Sequence, residues 1–303
     1  MSEFDGLVLK LSSCLMFLLD KPEETAASTA RALWLAATGK LCSVEVAVDK
    51  SLPELDCESR QRLETLVARR LSGTPLAHLT QRQSFMGIEL LAGPDALIPR
   101  KETEIVGRAA LAKLRGLVAT RGHIRVIDVC TGSGNLAVAL AVQEPLCDVI
   151  GIDLSPEAVN LAERNSALHS ITSRVSFMQG DLFTPLSAEE FFQSFDMIVC
   201  NPPYISSAKV DGLPVETGAH EPRLAFDGGN FGVAILSRLI KEAPRLLKPE
   251  SWLCFEVGVG QGSYFVRTLG KMTEFCGVET FTDSQGEIRA IAAVTTQERR
   301  VQI

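Results

Sequence analysis

No window of this chain approaches the roughly eighteen uninterrupted apolar residues that a membrane-spanning helix needs, although 46% of its 303 residues are hydrophobic. Glu3 and Asp5 stand where a secretory leader would carry lysine or arginine. The expectation is a cytoplasmic protein. The eight cysteines, Cys14, Cys42, Cys57, Cys130, Cys147, Cys200, Cys254 and Cys276, contain no C-x-x-C spacing, and several lie inside apolar runs. They are expected as buried free thiols, with no metal site. Positive charge is also short. A formal net charge of −7 argues against an extended nucleic-acid footprint, because phosphate contacts need clustered lysine and arginine. The basic residues that do cluster, Arg60, Arg62, Arg69, Arg70 and Arg82, read as a solvated helix face.

The chain is long enough for one large core and a smaller unit. Phe4, Leu7, Val8, Leu11, Leu15 and Leu18 recur at helical spacing, which predicts a first helix ending near Asp20. Pro22 reads as a second helix start, with Gly39 closing it, and Asp56 as the cap of a third helix that Gly73 and Pro75 terminate. This organisation gives a helical domain over residues 1–80, expected to recognise a partner or cover the site. Residues 81–119 follow as a hairpin-like connector and a lead-in helix from Thr103, whose acidic neighbours Glu102 and Glu104 suit a helix N-terminus.

From residue 120 to 303 the pattern alternates strand and helix. The apolar run Phe195-Asp196-Met197-Ile198-Val199-Cys200 stops at Asn201-Pro202-Pro203-Tyr204. Neither proline can donate a backbone hydrogen bond, and Pro202 biases Asn201 away from helical dihedrals, so a strand must end in a stiff turn. The Asn201 side-chain carbonyl and the Pro202 backbone carbonyl offer two acceptors for one planar NH2 group, and Tyr204 adds an aromatic wall. Two acceptors pulling on an amide nitrogen's hydrogens would aim its lone pair outward, toward a methyl sulfonium held in line.

A cofactor site is readable upstream. The strand Ile124-Arg125-Val126-Ile127-Asp128-Val129 leads into Cys130-Thr131-Gly132-Ser133-Gly134-Asn135 and then a helix, an arrangement that brings backbone amides close to a ligand. A second strand ends at Asp153, placed for ribose hydroxyls, and a third at Gly180-Asp181-Leu182-Phe183, where Asp181 and Leu182 could hold an adenine. Gly132-x-Gly134-x-x-Ala137 with Asp153 also satisfies a dinucleotide fingerprint, so these residues alone leave an NAD-dependent dehydrogenase open. Asp128 before the glycine turn favours the amino group of a methionine moiety over a pyrophosphate. Residues 233–247 and 261–269 read as helices, residues 252–257 as a strand, and two last strands near Val278 and Ile291 have no helix between them. The sheet should therefore be mostly parallel with an antiparallel end.

Together, Asp128-x-x-Thr131-Gly132-Ser133-Gly134, Asp153, Gly180-Asp181-Leu182-Phe183 and Asn201-Pro202-Pro203-Tyr204 resemble a class I S-adenosylmethionine-dependent methyltransferase, a Rossmann-like α/β fold. Leu97-Ile98-Pro99-Arg100 with Thr103-Glu104, Glu221-Pro222-Arg223-Leu224-Ala225 with Asp227-Gly228-Gly229, and Glu256-Val257-Gly258 with Gln261-Gly262 are similar to the HemK/PrmC family, protein-glutamine N5-methyltransferases of peptide chain release factors. The likeness spans nearly the whole chain.

It implies the glutamine of a Gly-Gly-Gln loop as acceptor, held by Asn201 and the Pro202 carbonyl, with Pro203 and Tyr204 completing the transfer site. It also implies S-adenosylmethionine on Asp128, Cys130, Thr131, Gly132, Ser133, Gly134, Asp153, Asp181, Leu182 and Asn201, a release factor docked on the N-terminal helices, and a monomer. Three departures stand out. Cys130 replaces a usual glycine, Asn135 a small apolar residue, and Glu250-Ser251 a usual Gly-Gly pair. They bear on the substrate, so a small-molecule nitrogen is the alternative acceptor. A DNA amino-methyltransferase shares Asn-Pro-Pro-Tyr but should carry a basic recognition region.

Overall fold

The computed structural model describes residues 2–18 and 21–297. Two compact units account for them: residues 1–101 with 213–222, and residues 102–212 with 223–303. The segment 213–222, which in sequence sits inside the strand-and-helix region, thus groups with the N-terminal helices.

The first unit begins with α1 (Glu3–Cys14), α2 (Ala26–Ala37), α3 (Val44–Val48), α4 (Cys57–Leu71) and α5 (Leu76–Thr80). The hairpin β1 (Arg82–Phe85) and β2 (Ile88–Leu91) follows. Asp56 caps α4 by accepting from the Ser59 amide at 2.7 Å, as its sequence position predicts. Two helix ends differ from expectation. The first helix closes at Cys14, because Leu15 is already extended yet still packs on the unit's core; the expected end at Asp20 lies outside the described residues. The second starts at Ala26 rather than Pro22, because Thr25 and Ser28 form a reciprocal capping box there. Leu11, Leu33, Leu35, Leu63, Val67 and Leu76 form the core.

A buried ionic chain ties the returning segment into this unit. Arg70 donates to Glu24 at 2.9 Å and to Glu216 at 2.6 Å, and Lys21 also pairs with Glu216. Five residues on, the Glu221 carboxylate accepts from the Ile98 amide at 2.8 Å and pairs with Arg100.

The second unit opens with α6 (Thr103–Arg121), then β3 (Ile124–Val129), α7 (Asn135–Gln143), β4 (Cys147–Asp153), α8 (Pro156–Leu168), β5 (Val175–Gln179) and β6 (Phe195–Cys200). Two short helices, α9 (Ser207–Val210) and α10 (Val215–Gly218), come next, the latter within the segment assigned to the first unit. The chain finishes with α11 (Ala234–Glu242), β7 (Leu247–Glu256), α12 (Gly262–Leu269), β8 (Phe275–Thr282) and β9 (Ile288–Thr295). The α11 helix is shorter than the expected 233–247: a single 3-10 turn containing Pro244 ends it, and the strand begins at Leu247.

The seven strands run in the order β5-β4-β3-β6-β7-β9-β8. The first five are mutually parallel, and β9 is antiparallel to both its neighbours. This is the mostly parallel sheet with an antiparallel last strand that the alternation predicts. Ile127, Val129, Ile198, Phe255, Phe265 and Ile291 are among its buried core residues. No helix among the described residues is long and apolar enough to cross a membrane.

Candidate active site

Strand register decides which residues meet. Val129 on β3 pairs with Ile152 on β4 and Cys200 on β6, and Cys200 pairs with Phe255 on β7. The next residues, Cys130, Asp153, Asn201 and Glu256, therefore lie side by side at the sheet's carboxyl edge, where open parallel sheets bind ligands.

The glycine turn is built around Asp128. Its Oδ2 accepts from the Thr131 hydroxyl at 2.6 Å and from the Ala137 amide at 3.0 Å, which fixes the turn against the start of α7. Its Oδ1 is buried with no hydrogen-bond partner among the described residues. Burial pushes this carboxyl up to about 7, against the pull of the Thr131 and Ala137 bonds. Ser133 is buried and its carbonyl accepts from Asn165 at 2.8 Å. Gly134, at φ +77°, could carry no Cβ, which would lie 2.9 Å from the Ala162 side chain. Cys130 adopts φ 58°, a left-handed conformation that costs a side chain energy and suits glycine. The departure noted in the sequence thus falls on a position with a backbone reason for glycine.

Asp153 braces the same turn. Its Oδ2 accepts from the Gly132 amide and its Oδ1 from the Ser155 amide, at 2.8 and 3.0 Å. Each oxygen keeps a lone pair, enough for two ribose hydroxyls. Burial raises its pKa. Asp181 follows β5, where the Gly180 amide bonds the Asp153 carbonyl at 2.8 Å, but both its carboxylate oxygens already accept from Arg238, at 3.2 and 3.0 Å. An adenine amino group would have to share that pair. Leu182 is buried within the core of the unit.

The Asn-Pro-Pro-Tyr turn is fixed from several sides. Asn201 Nδ2 donates to Thr103 Oγ1 at 3.0 Å, which turns the amide oxygen the opposite way. The Tyr204 hydroxyl donates to Glu256 Oε1 at 2.9 Å, and Gln261 Nε2 donates to the Tyr204 carbonyl at 3.1 Å. Ile205 pairs with the returning chain, its amide bonded to the Phe226 carbonyl at 3.0 Å and its carbonyl to the Gly228 amide at 2.8 Å. A Cβ on Gly232 would sit 2.0 Å from the Tyr204 carbonyl oxygen. Only glycine permits this approach.

Glu256 is fully buried, and burial pushes its carboxyl up to about 7. Its Oε2 is buried with no hydrogen-bond partner among the described residues. The Tyr204 phenol is pushed well above its usual range by burial and by the Glu256 charge.

Thr103, Glu256 and Gln261 are site residues that the reading by chemistry overlooks. Thr103 passes as the first turn of a helix, and the signal for the other two is the spacing Glu256-x-Gly258-x-x-Gln261, in which the Gln261 side chain also accepts from the Gly258 amide at 3.0 Å.

Comparison with known proteins gives a consistent picture. A methyltransferase domain family matches residues 121–299. The release factor glutamine methyltransferase of Geobacter sulfurreducens is 37% identical over 275 residues, covering 91% of this chain and 92% of that protein. The protein of the same name from Salmonella typhimurium is 39% identical over 230 residues, covering 76% and 79%. Among solved structures, the hMettl16 catalytic domain has a TM-score of 0.54 at 15% identity, covering 84% of this chain and 86% of that one. That likeness speaks for the fold alone.

Proposed function

The chain belongs to the release factor glutamine methyltransferase family, and from that premise we propose that it moves a methyl group from S-adenosylmethionine to the side-chain N5 of a release factor glutamine. The residues present fit this cofactor. The orphaned, buried Asp128 Oδ1 suits an ammonium group, and the open lone pairs of Asp153 suit a ribose. Thr131, Gly132, Ser133 and Gly134 supply the close backbone, with Cys130, Asp181 and Leu182 at its margins. The cofactor brings a methyl group activated on a sulfonium.

The protein's own part is to make a poor nucleophile competent. Asn201 Oδ1 and the Pro202 carbonyl each accept one N–H of the glutamine amide, which pulls the nitrogen toward a pyramidal shape. Tyr204 walls the site and, held by Glu256, limits the acceptor to one approach. One of the two amide hydrogens leaves as a proton once the methyl is in place. In the same reading the acceptor lies in a Gly-Gly-Gln loop, the N-terminal helices contact the release factor, and the enzyme works in the cytoplasm as a monomer without binding nucleic acid itself.

The observation that carries this proposal is the Asn201–Thr103 hydrogen bond, because it commits the amide oxygen to the acceptor. Asn201→Ala should leave cofactor affinity within about twofold while slowing release factor methylation by about a hundredfold, equivalent to about 3 kcal/mol. Mass spectrometry of the labelled substrate should place the methyl on a glutamine. Unchanged turnover in the variant, or label elsewhere, would refute the assignment.

A further inference from the structure

An aromatic ring stands beside the Asn-Pro-Pro-Tyr turn where the backbone is least suited to carry one. Residues 228–232 wrap that turn closely: the Gly228 amide donates to the Ile205 carbonyl at 2.8 Å, a Cβ on Gly228 would stand 2.6 Å from the Pro203 carbonyl oxygen, and one on Gly232 would stand 2.0 Å from that of Tyr204. Phe231 belongs to this wrap, at φ 62°. Gln261 ties the pieces together. Its Nε2 is shared among the carbonyls of Tyr204, Gly232 and Phe231, at 3.1, 3.2 and 3.4 Å, while its Oε1 accepts from the Gly258 amide at 3.0 Å and so closes the loop that carries Val259.

We propose that Phe231, with Val259 on the neighbouring loop, is a docking surface for the stretch of polypeptide that flanks the acceptor glutamine of a protein substrate. The inference rests on the proposed role of the Asn-Pro-Pro-Tyr turn and names what lies next to the amide that this turn receives.

The first ground is a cost that the free enzyme does not recover. Phe231 is 84% exposed and Val259 65%. A bulky residue in a left-handed conformation is an outlier, because its Cβ crowds the following carbonyl; glycine or asparagine would close the same turn with less strain. An exposed phenyl offsets none of that strain by burial. A contact made only in the complex does, and strained residues gather at ligand clamps for this reason. The second ground is continuity with the acceptor turn. A glutamine within a polypeptide cannot enter alone, since the residues on either side must leave the transfer site over whatever borders it. On this side the border is the 228–232 wrap, held to the Tyr204 carbonyl by the same Gln261 nitrogen that holds Phe231. A small-molecule amide has no such flanks and no use for an apolar rim beyond the Tyr204 ring.

The test uses the full-length enzyme with S-adenosylmethionine and a release factor. Phe231→Asn should raise KM for the release factor about tenfold, which corresponds to burying part of one phenyl ring, with kcat and cofactor Kd within about twofold. The same variant should melt at or above the unaltered enzyme, because asparagine accepts a left-handed backbone more readily. Phe231→Trp, which keeps an aromatic face, should hold KM within about threefold, and Val259→Ser should by itself raise KM about threefold. The inference is overturned if Phe231→Asn leaves KM unmoved, if it lowers kcat instead, if it melts lower, or if Phe231→Trp fails like Phe231→Asn. Gel filtration supplies a further check: an enzyme that runs as a dimer and becomes a monomer in Phe231→Asn would assign the surface to a second copy of the chain and overturn the inference. If the unaltered enzyme places no methyl on any glutamine of the release factor, the reading of the acceptor turn falls; if it does so and KM is unmoved in Phe231→Asn, only this inference falls.

Discussion

Replacing Glu250 with glycine should stabilise the protein, although the change removes a side chain. Glu250 adopts φ 53° at an exposed bend in β7, and the guanidinium of Arg121 holds that bend by donating to the Pro249 and Glu250 carbonyls, each at 2.9 Å. A left-handed conformation costs a residue with a Cβ about 1–2 kcal/mol. Glycine removes that cost but gives back about 0.5–1 kcal/mol through the greater freedom of its unfolded chain. Among the described residues the side-chain loss is an exposed hydrogen bond from Gln297, at 2.6 Å, whose net worth at the surface is small. The balance is a gain of about 0.5–1 kcal/mol, or about 1–4 °C in the transition of a unit this size. Calorimetry should find that gain in Glu250→Gly and not in Glu250→Ala, which keeps the Cβ and the strain. A Glu250→Gly protein melting at or below the parent, level with the alanine variant, would refute the reasoning.

The remaining predictions concern the site. Gly232→Ala would place a Cβ 2.0 Å from the Tyr204 carbonyl oxygen at a φ of +67°, so the turn must move. Turnover should fall by about tenfold or more while cofactor affinity holds, as read by kinetics beside calorimetry. Asp128 must be ionised to attract an ammonium group, and burial holds it near 7. Cofactor affinity should therefore strengthen as pH rises from 5.5 to 7, by at most about tenfold per unit, and Asp128→Asn should weaken binding and abolish the trend. In the empty enzyme the sign reverses. A raised carboxyl pKa contributes stability that is present below its unfolded value and lost as pH rises through 7, so thermal melts without cofactor should show Asp128→Asn gaining on the parent at pH 8.

The large sheet was legible because each strand is an apolar run bounded by a sharp stop. Asp153 and Asn201 stand at the ends of such runs and Asp128 one residue before the end of another, and register then brings the three strand ends together. The five-residue helices α3 and α5 were not legible, since periodicity needs more than one turn to declare itself. The start of α2 was misplaced because the Thr25–Ser28 capping box outweighs Pro22. Thr103 and Asn201 stand 98 positions apart and meet only through the fold, so no local pattern announces their hydrogen bond. Cys130 and Glu250 stood out as departures from a family pattern; the structure adds that both have positive φ, which is the physical reason glycine suits those places.

The excursion of residues 213–222 changes what a protease could achieve. A single cut after Lys101 would break one of three backbone connections between the units and leave the ten-residue excursion on the other fragment. Glu216 and Glu221 would still be clasped by Lys21, Arg70 and Arg100, so the nicked halves would behave like a split protein that stays assembled. Trimming the helices away would instead strip Glu216 of both its buried cations, and a truncated enzyme would report that damage along with any loss of docking.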